Sequence, residues 1–212
     1  MTALLNEPIR GVLDRLHAAA LHDDDLDLAP VPPDASSQQR ADALAPAYLP
    51  VSEEGGRLLY SLVRSARPQT VVEFGTSYGI STLYLAAAVR DNGLGRVVTT
   101  ELSAAKVAAA RANLAEAGVA ELVEVLPGDA LQTLDTIDDP IGLVLLDGWK
   151  DLYLPVLRLL EPRLTPGALV VGDDTSFASV RPYLDYIRDP ANGYVSVAFP
   201  VENGMEISCR VG

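Results

Sequence analysis

From residue 69 onward, short and wholly apolar runs alternate with helical segments, and this pattern constrains the fold more than any other feature. Strands are expected at Thr70–Phe74, Arg96–Glu101, 122–126, 142–147 and 168–173. Helices are expected at 80–90, 104–117, 130–136, 152–160 and 177–188. A run such as Leu143-Val144-Leu145-Leu146 shows no polar alternation, as a strand covered on both faces should. Strands of that kind alternating with helices imply an α/β doubly wound, mostly parallel sheet. The tail breaks the pattern. Tyr194–Phe199 and 205–211 flank Pro200-Val201-Glu202-Asn203-Gly204, and Asn-Gly is a strong hairpin signal. A C-terminal antiparallel hairpin therefore brings the expected sheet to seven strands.

Ahead of this region the first 50 residues read as a helical segment. Leu5, Ile9, Val12, Leu13, Leu16, Ala19 and Ala20 recur at helical spacing over residues 5–21. Asp23-Asp24-Asp25 then reads as a solvated helix end in preference to a metal site. His17 and His22 pair with no nucleophile or ligand set. Residues 30–37 hold three prolines and read as a linker. Ser36 or Ser37 caps a short helix reaching Ala45, and Ser52, followed by Glu53 and Glu54, caps another reaching Ala66.

The formal net charge is −13, with a sequence pI of about 4.4. Nucleic acids and anionic membrane surfaces are poor partners for such a chain, because neutralising phosphates supplies most of that affinity. Cys209 is the single cysteine, so neither an internal disulfide nor a thiolate zinc cluster can form. No apolar run approaches the ~20 residues that span a bilayer, and Met1 to Arg10 does not read as a secretory signal. A soluble, cytoplasmic protein is expected, and the N-terminal helices are candidates for a homodimer contact.

Ligands of open α/β sheets bind outside the carboxyl ends of the strands. The first strand ends in Glu73-Phe74-Gly75-Thr76-Ser77-Tyr78-Gly79. The spacing Gly75-x-x-x-Gly79 is neither the dinucleotide fingerprint nor a phosphate loop, and Glu73 would repel phosphates. It suits a ligand bearing hydroxyls or a positive group. The other strands end near Glu101, Asp129, Asp147 and Asp173-Asp174, so every one of the five supplies an acid. Glu101 can accept from both ribose hydroxyls of an adenosine ligand, or merely decorate a helix start. Asp129 can meet an adenine amino group or cap the helix from Ala130.

Asp147, Asp173 and Asp174 come from adjacent strand tips. Carboxylates so close raise one another's pKa unless a cation intervenes. An all-oxygen site suits Mg²⁺, with Ca²⁺ or Mn²⁺ as alternatives. Neighbouring residues on a strand point to opposite faces, so Asp173 and Asp174 can both ligate only where the strand has turned. Asp174 can also be a helix cap. Lys150, three residues after Asp147, is either an exposed lysine or a base whose pKa a divalent cation lowers. Trp149 can stack on adenine, wall a pocket or fill core.

Together these residues resemble the class I S-adenosylmethionine-dependent methyltransferases, and more narrowly the metal-dependent catechol O-methyltransferase-like and caffeoyl-CoA O-methyltransferase-like group. Val72 to Ser81 resembles its cofactor loop and Asp147 to Tyr153 its metal-and-base motif, with Asp173-Asp174 standing where the other two ligands fall. The resemblance implies that residues 51–212 form a Rossmann-like methyltransferase domain and residues 1–50 a substrate gate or oligomer contact. It implies that Val51, Glu73, Gly75, Ser77, Ser81, Glu101, Asp129, Ala130, Asp147 and Trp149 hold S-adenosylmethionine. It implies that Asp147, Asp173 and Asp174 bind Mg²⁺, with Lys150 as general base. The acceptor is then a small vicinal diol, either a catechol-like compound, a natural product or a sugar, and the product cofactor is S-adenosylhomocysteine. Two departures stand out. Gly148 replaces the histidine of the catechol enzyme, and Asp174 replaces its asparagine. A non-catalytic S-adenosylmethionine-binding module and a nicotinamide-dependent oxidoreductase are the alternatives.

Overall fold

The structure, a computed structural model, describes residues 2–28, 30–32 and 34–211. Pro33 of the expected linker and residues 1 and 212 at the ends of the expected division lie outside them. Helices α1 (Ile9–Ala20), α2 (Ser37–Ala43) and α3 (Glu53–Ala66) precede the sheet. There follow β1 (Thr70–Phe74), α4 (Ile80–Asn92), β2 (Arg96–Glu101), α5 (Ala104–Glu116), β3 (Val123–Pro127) and α6 (Ala130–Thr133). The chain continues through β4 (Ile141–Leu146), α7 (Tyr153–Leu160), β5 (Leu164–Gly172), α8 (Arg181–Ile187), β6 (Tyr194–Phe199) and β7 (Met205–Arg210).

These strands form one seven-stranded sheet in the order β3-β2-β1-β4-β5-β7-β6. The first five are parallel, and β7 runs antiparallel to both β5 and β6. The chain winds outward through β2 and β3, then returns to place β4 on the other side of β1. The crevice for a ligand lies where those two directions part, at the ends of β1 and β4.

Period-two alternation sends Val71, Val97, Leu143 and Leu145 into one core with α3, α4 and α5. Val72, Val98, Val144 and Leu146 face the other, with α7 and α8. Helix α4 is buried on every side from Ile80 to Val89. A helix apolar all round needs cover on its outer face. Ile9, Val12, Leu13 and Leu16 of α1 join its cluster and supply that cover. Each such side chain contributes about 1.5–3 kcal/mol of burial, so the N-terminal segment is tied to the core of the sheet.

Several boundaries differ from the sequence expectation. Pro8 separates a short 3₁₀ turn at Ala3–Leu5 from α1, and Leu5 is 60% exposed instead of joining the stripe. The expected helix over 130–136 tightens to 3₁₀ after Thr133. The expected helix from 177 begins only at Arg181, where Pro182 suits a first turn because its missing N–H has no helical partner there. Strand β5 starts at Leu164, ahead of the expected 168, with a register shift against β4.

No helix among the described residues is long and apolar enough to cross a membrane.

Candidate active site

A cavity of about 910 Å³ opens at the carboxyl ends of the five parallel strands. Val51, Gly75, Ser77, Ser81, Glu101, Asp129, Ala130, Asp147, Trp149, Lys150, Asp173 and Asp174 line it. Every residue that the resemblance assigns to cofactor, metal or base is therefore brought to one place, with one exception. Glu73 does not line the cavity. It is fully buried beneath it, accepting from the Ser81 hydroxyl at 2.6 Å and the Thr82 hydroxyl at 2.5 Å. Burial pushes its pKa up, against the pull of those hydroxyl donors.

The floor is set by backbone. Asp147 N–H donates to the Phe74 carbonyl at 2.8 Å, carrying the β1–β4 ladder one step past the strand ends. At Gly75, φ is +105°, and a Cβ there would stand 2.7 Å from the Asp147 carbonyl oxygen. Only glycine fits such a turn at that approach. Ser77 takes a left-handed φ of 46° and turns its N–H onto Glu101, which accepts it at 2.9 Å. Ser103 N–H donates to the other carboxylate oxygen at 2.8 Å. Glu101 is thus held in a fixed orientation with lone pairs to spare, as an acid reading two adjacent hydroxyls requires.

Asp129 takes the cap role and also reaches the cavity. It caps α6, accepting from Leu131 N–H at 2.9 Å, and it lines the cavity. Trp149 has the Arg40 guanidinium 5.1 Å from its ring centroid, while Arg40 also grips Asp151 through two bonds of 3.2 Å. Helix α2 is thereby fastened over the loop that follows β4.

At the other end of the cavity, Asp147, Asp173 and Asp174 offer carboxylate oxygens within 4.8 Å of one another. Asp174 has a φ of 53°, so the chain has turned immediately after β5 and both acids face one site. That removes the geometric objection to their acting together. Burial, then mutual repulsion, raises Asp147 and Asp173 well above the usual carboxylate range. Lys150 Nζ lies 3.3 Å from Asp147 and 3.0 Å from Asp174, and donates to the Tyr153 hydroxyl at 2.9 Å. Burial alone would lower its pKa, but the two acids override this and hold it above the ordinary value. Three crowded carboxylates around a single ammonium leave negative charge uncompensated, and an all-oxygen set of this kind fits a hard divalent cation.

Sequence reasoning missed three parts of the site. Asp23, expected as a solvated helix end, accepts the backbone N–H groups of Tyr48 and Leu49 at 2.9 and 2.8 Å. Tyr48 stacks on Tyr78 with centroids 4.1 Å apart, and the Tyr78 hydroxyl donates to the Ala45 carbonyl. Lys106, 5% exposed, also lines the cavity.

A family model described as a methyltransferase domain matches residues 72–175. Catechol O-methyltransferase B of Danio rerio is 31% identical over 176 residues, covering 76% of this chain and 66% of that protein. The catechol O-methyltransferase of Mycobacterium tuberculosis is 35% identical over 141 residues, covering 66% of this chain and 63% of that protein. The chain thus spans about two thirds of the length of these relatives. Among solved structures, the O-methyltransferase TomG from Streptomyces achromogenes, involved in tomaymycin synthesis and in complex with SAM, superposes with a TM-score of 0.70. It is 26% identical, with 94% of this chain and 99% of that chain covered. The sheet, the cavity and these similarities agree: the chain belongs to the class I S-adenosylmethionine-dependent O-methyltransferases.

Proposed function

We propose that this protein transfers a methyl group from S-adenosylmethionine to a hydroxyl of a small acceptor with vicinal oxygens, and that it does so with Mg²⁺. The observation that carries the proposal is the sharing of one cavity by two arrangements. The Gly75 turn and the oriented Glu101 line it together with Lys150 and three clustered carboxylates.

At the donor end Glu101 accepts from the ribose hydroxyls, Val51 and Ala130 supply apolar contact, and Trp149 and Asp129 flank the adenine. Gly75, Ser77 and Ser81 face the methionine portion. Glu73 acts from below by fixing the Ser81 hydroxyl. S-adenosylmethionine supplies a methyl group on a sulfonium. Asp147, Asp173 and Asp174 would hold the metal. Bound there, Mg²⁺ supplies Lewis acidity toward a neighbouring hydroxyl and cancels the charge that otherwise keeps Lys150 protonated. Lys150 then takes the proton of the acceptor hydroxyl at Nζ, with Tyr153 holding the amine in position. Both ligands lie in one cavity, so orientation supplies much of the rate.

Leu44, Leu49, Phe177, Asp24 and Glu202 also line the cavity and are read as facing the acceptor. Among the described residues, Lys106 and Lys150 are the bases lining the cavity. That balance favours neutral or amine-bearing diols over anionic ones. Ser37, Ala41, Leu44 and Tyr48 line the same space, and residues 1–50 are read as a substrate gate or oligomer contact ahead of a methyltransferase domain at 51–212. We further read the chain as a homodimer, supported by the exposed Val195, Val197 and Phe199 on β6. A single species of monomer mass in sedimentation equilibrium removes that part.

The test is a methyl-transfer assay over catechols, aliphatic diols and sugars, with Mg²⁺ and with chelator. Methylation of a diol that chelator abolishes is expected. Undiminished turnover in chelator removes the metal, and S-adenosylhomocysteine binding without turnover on any acceptor favours a non-catalytic module.

A further inference from the structure

Lys106 stands where a lysine is least expected. It is the third residue of α5, and Ser103 caps that helix by accepting Lys106 N–H at 3.4 Å. The first turn of a helix favours acids, because the backbone N–H groups concentrate positive charge there. A capping box would put Glu or Gln at this very position. Here a cation occupies it and is buried as well, at 5% exposure. Among the described residues, no hydrogen-bond or ion-pair partner meets its ammonium. The Tyr78 ring centroid lies 5.8 Å from Nζ. Burial lowers the pKa, and Glu101 and Asp23 oppose that from a distance. A residue that violates local preference, is desolvated and goes unpaired lowers stability, and such violations concentrate at functional sites.

Lys106 lines the same cavity as Glu101 and Tyr78, and Glu101 is the first of the acids whose charge acts on it. Glu101 has only acceptors to offer. A vicinal diol has both hydroxyl protons and oxygen lone pairs, so an acid alone satisfies half of it. Among the described residues, no acceptor takes a hydrogen bond from the Lys106 ammonium, which is left free to donate into the cavity.

Resting on the reading of this cavity as an S-adenosylmethionine site, we propose that Lys106 is a second ribose-binding residue, donating to a ribose hydroxyl oxygen whose proton Glu101 accepts. The pair reads the diol from both sides, and the helix gives up stability to hold the lysine there.

The experiment measures S-adenosylhomocysteine affinity by calorimetry and apoprotein Tm for the wild type, K106M and K106R. The same titrations are repeated with 3′-deoxy- and 2′-deoxy-S-adenosylhomocysteine. K106M should weaken the parent ligand by about tenfold, as loss of a charged hydrogen bond to a neutral partner does. It should leave one of the two deoxy analogues unaffected. K106R should recover part of the loss. The apoprotein of K106M should melt higher by roughly 2 °C or more, because an unpaired buried cation has been removed. A merely structural lysine would lower Tm and binding together, and that result overturns the proposal. Equal weakening of all three ligands, or of none, also overturns it. A wild type that binds no S-adenosylhomocysteine fails the cofactor reading itself, whereas wild-type binding that K106M leaves unchanged fails only the role of Lys106.

Discussion

The Ser77 hydroxyl donates to the backbone carbonyl of Tyr48 at 2.6 Å, joining the glycine turn after β1 to a segment 29 residues earlier. The N-terminal segment is therefore a wall of the cavity. Asp23 holds that wall from its other side, through Tyr48 and Leu49 N–H. Replacing Asp23 by Ala leaves both donors without their carboxylate, each such charged bond being worth about 1.5–3 kcal/mol. S-adenosylhomocysteine affinity should fall by about tenfold or more. Amide exchange at residues 47–50 should quicken while that of β1 and β4 stays slow. Unaltered exchange at 47–50 would show that Asp23 is not what holds the segment.

Lys150→Met keeps the length of the side chain and removes its nitrogen. Turnover should drop by roughly 10²- to 10⁴-fold, the usual loss with a general acid or base. The S-adenosylhomocysteine dissociation constant should change by less than about twofold, since the ammonium of Lys150 is engaged by Asp147, Asp174 and Tyr153. A variant that keeps full kcat would take the proton-transfer role away from Lys150.

Divalent metal should stabilise the fold through the three carboxylates. At a Mg²⁺ concentration of about 100 times Kd, linkage gives about 2.7 kcal/mol, or a rise in Tm of roughly 5 °C or more. Asp174→Ala removes one of the three and should shrink the rise. A Tm that Mg²⁺ does not move in the wild type would argue against a metal at this site.

His17 sits against α4, with Nε2 3.2 Å from the Tyr84 hydroxyl. Burial lowers its pKa below the ordinary 6.5, despite opposing pulls from Glu53 and Asp14. The unfolded chain thus binds the proton more readily than the folded one. Its contribution to stability is full above pH 6.5 and declines as the pH falls through that value toward the folded pKa. His17→Gln should therefore cost more Tm at pH 7.5 than at pH 5.5, by roughly 1–2 °C. A difference independent of pH would show that His17 is not titrating between the two states.

The strands were readable because continuous runs such as Leu143 to Leu146 leave no doubt that both faces are covered. Asp147 and Lys150 were readable because three residues separate them on one loop. That Glu73 lies beneath the cavity was not legible. Whether an acid at a strand end points to the crevice or beneath it depends on the register of the loop that follows, here set by Gly75 and Ser77. The role of Asp23 left no local trace, since its partners Tyr48 and Leu49 lie 25 and 26 residues away. Lys106 did leave a trace, a cation at the third residue of a helix, and that trace was overlooked.

The bond from Asp147 N–H to the Phe74 carbonyl has one further consequence. Donor-side and acceptor-side residues are mounted on neighbouring rungs of the same ladder, in strands about 4.8 Å apart. On the proposed reading, main-chain geometry therefore sets the spacing between the turn that faces the donor and the loop that carries Lys150. Substitutions at Leu44, Leu49 or Phe177 can retune which molecule enters without lengthening that spacing. On that reading, acceptor preference and the placement of the reacting groups rest on separate parts of the chain.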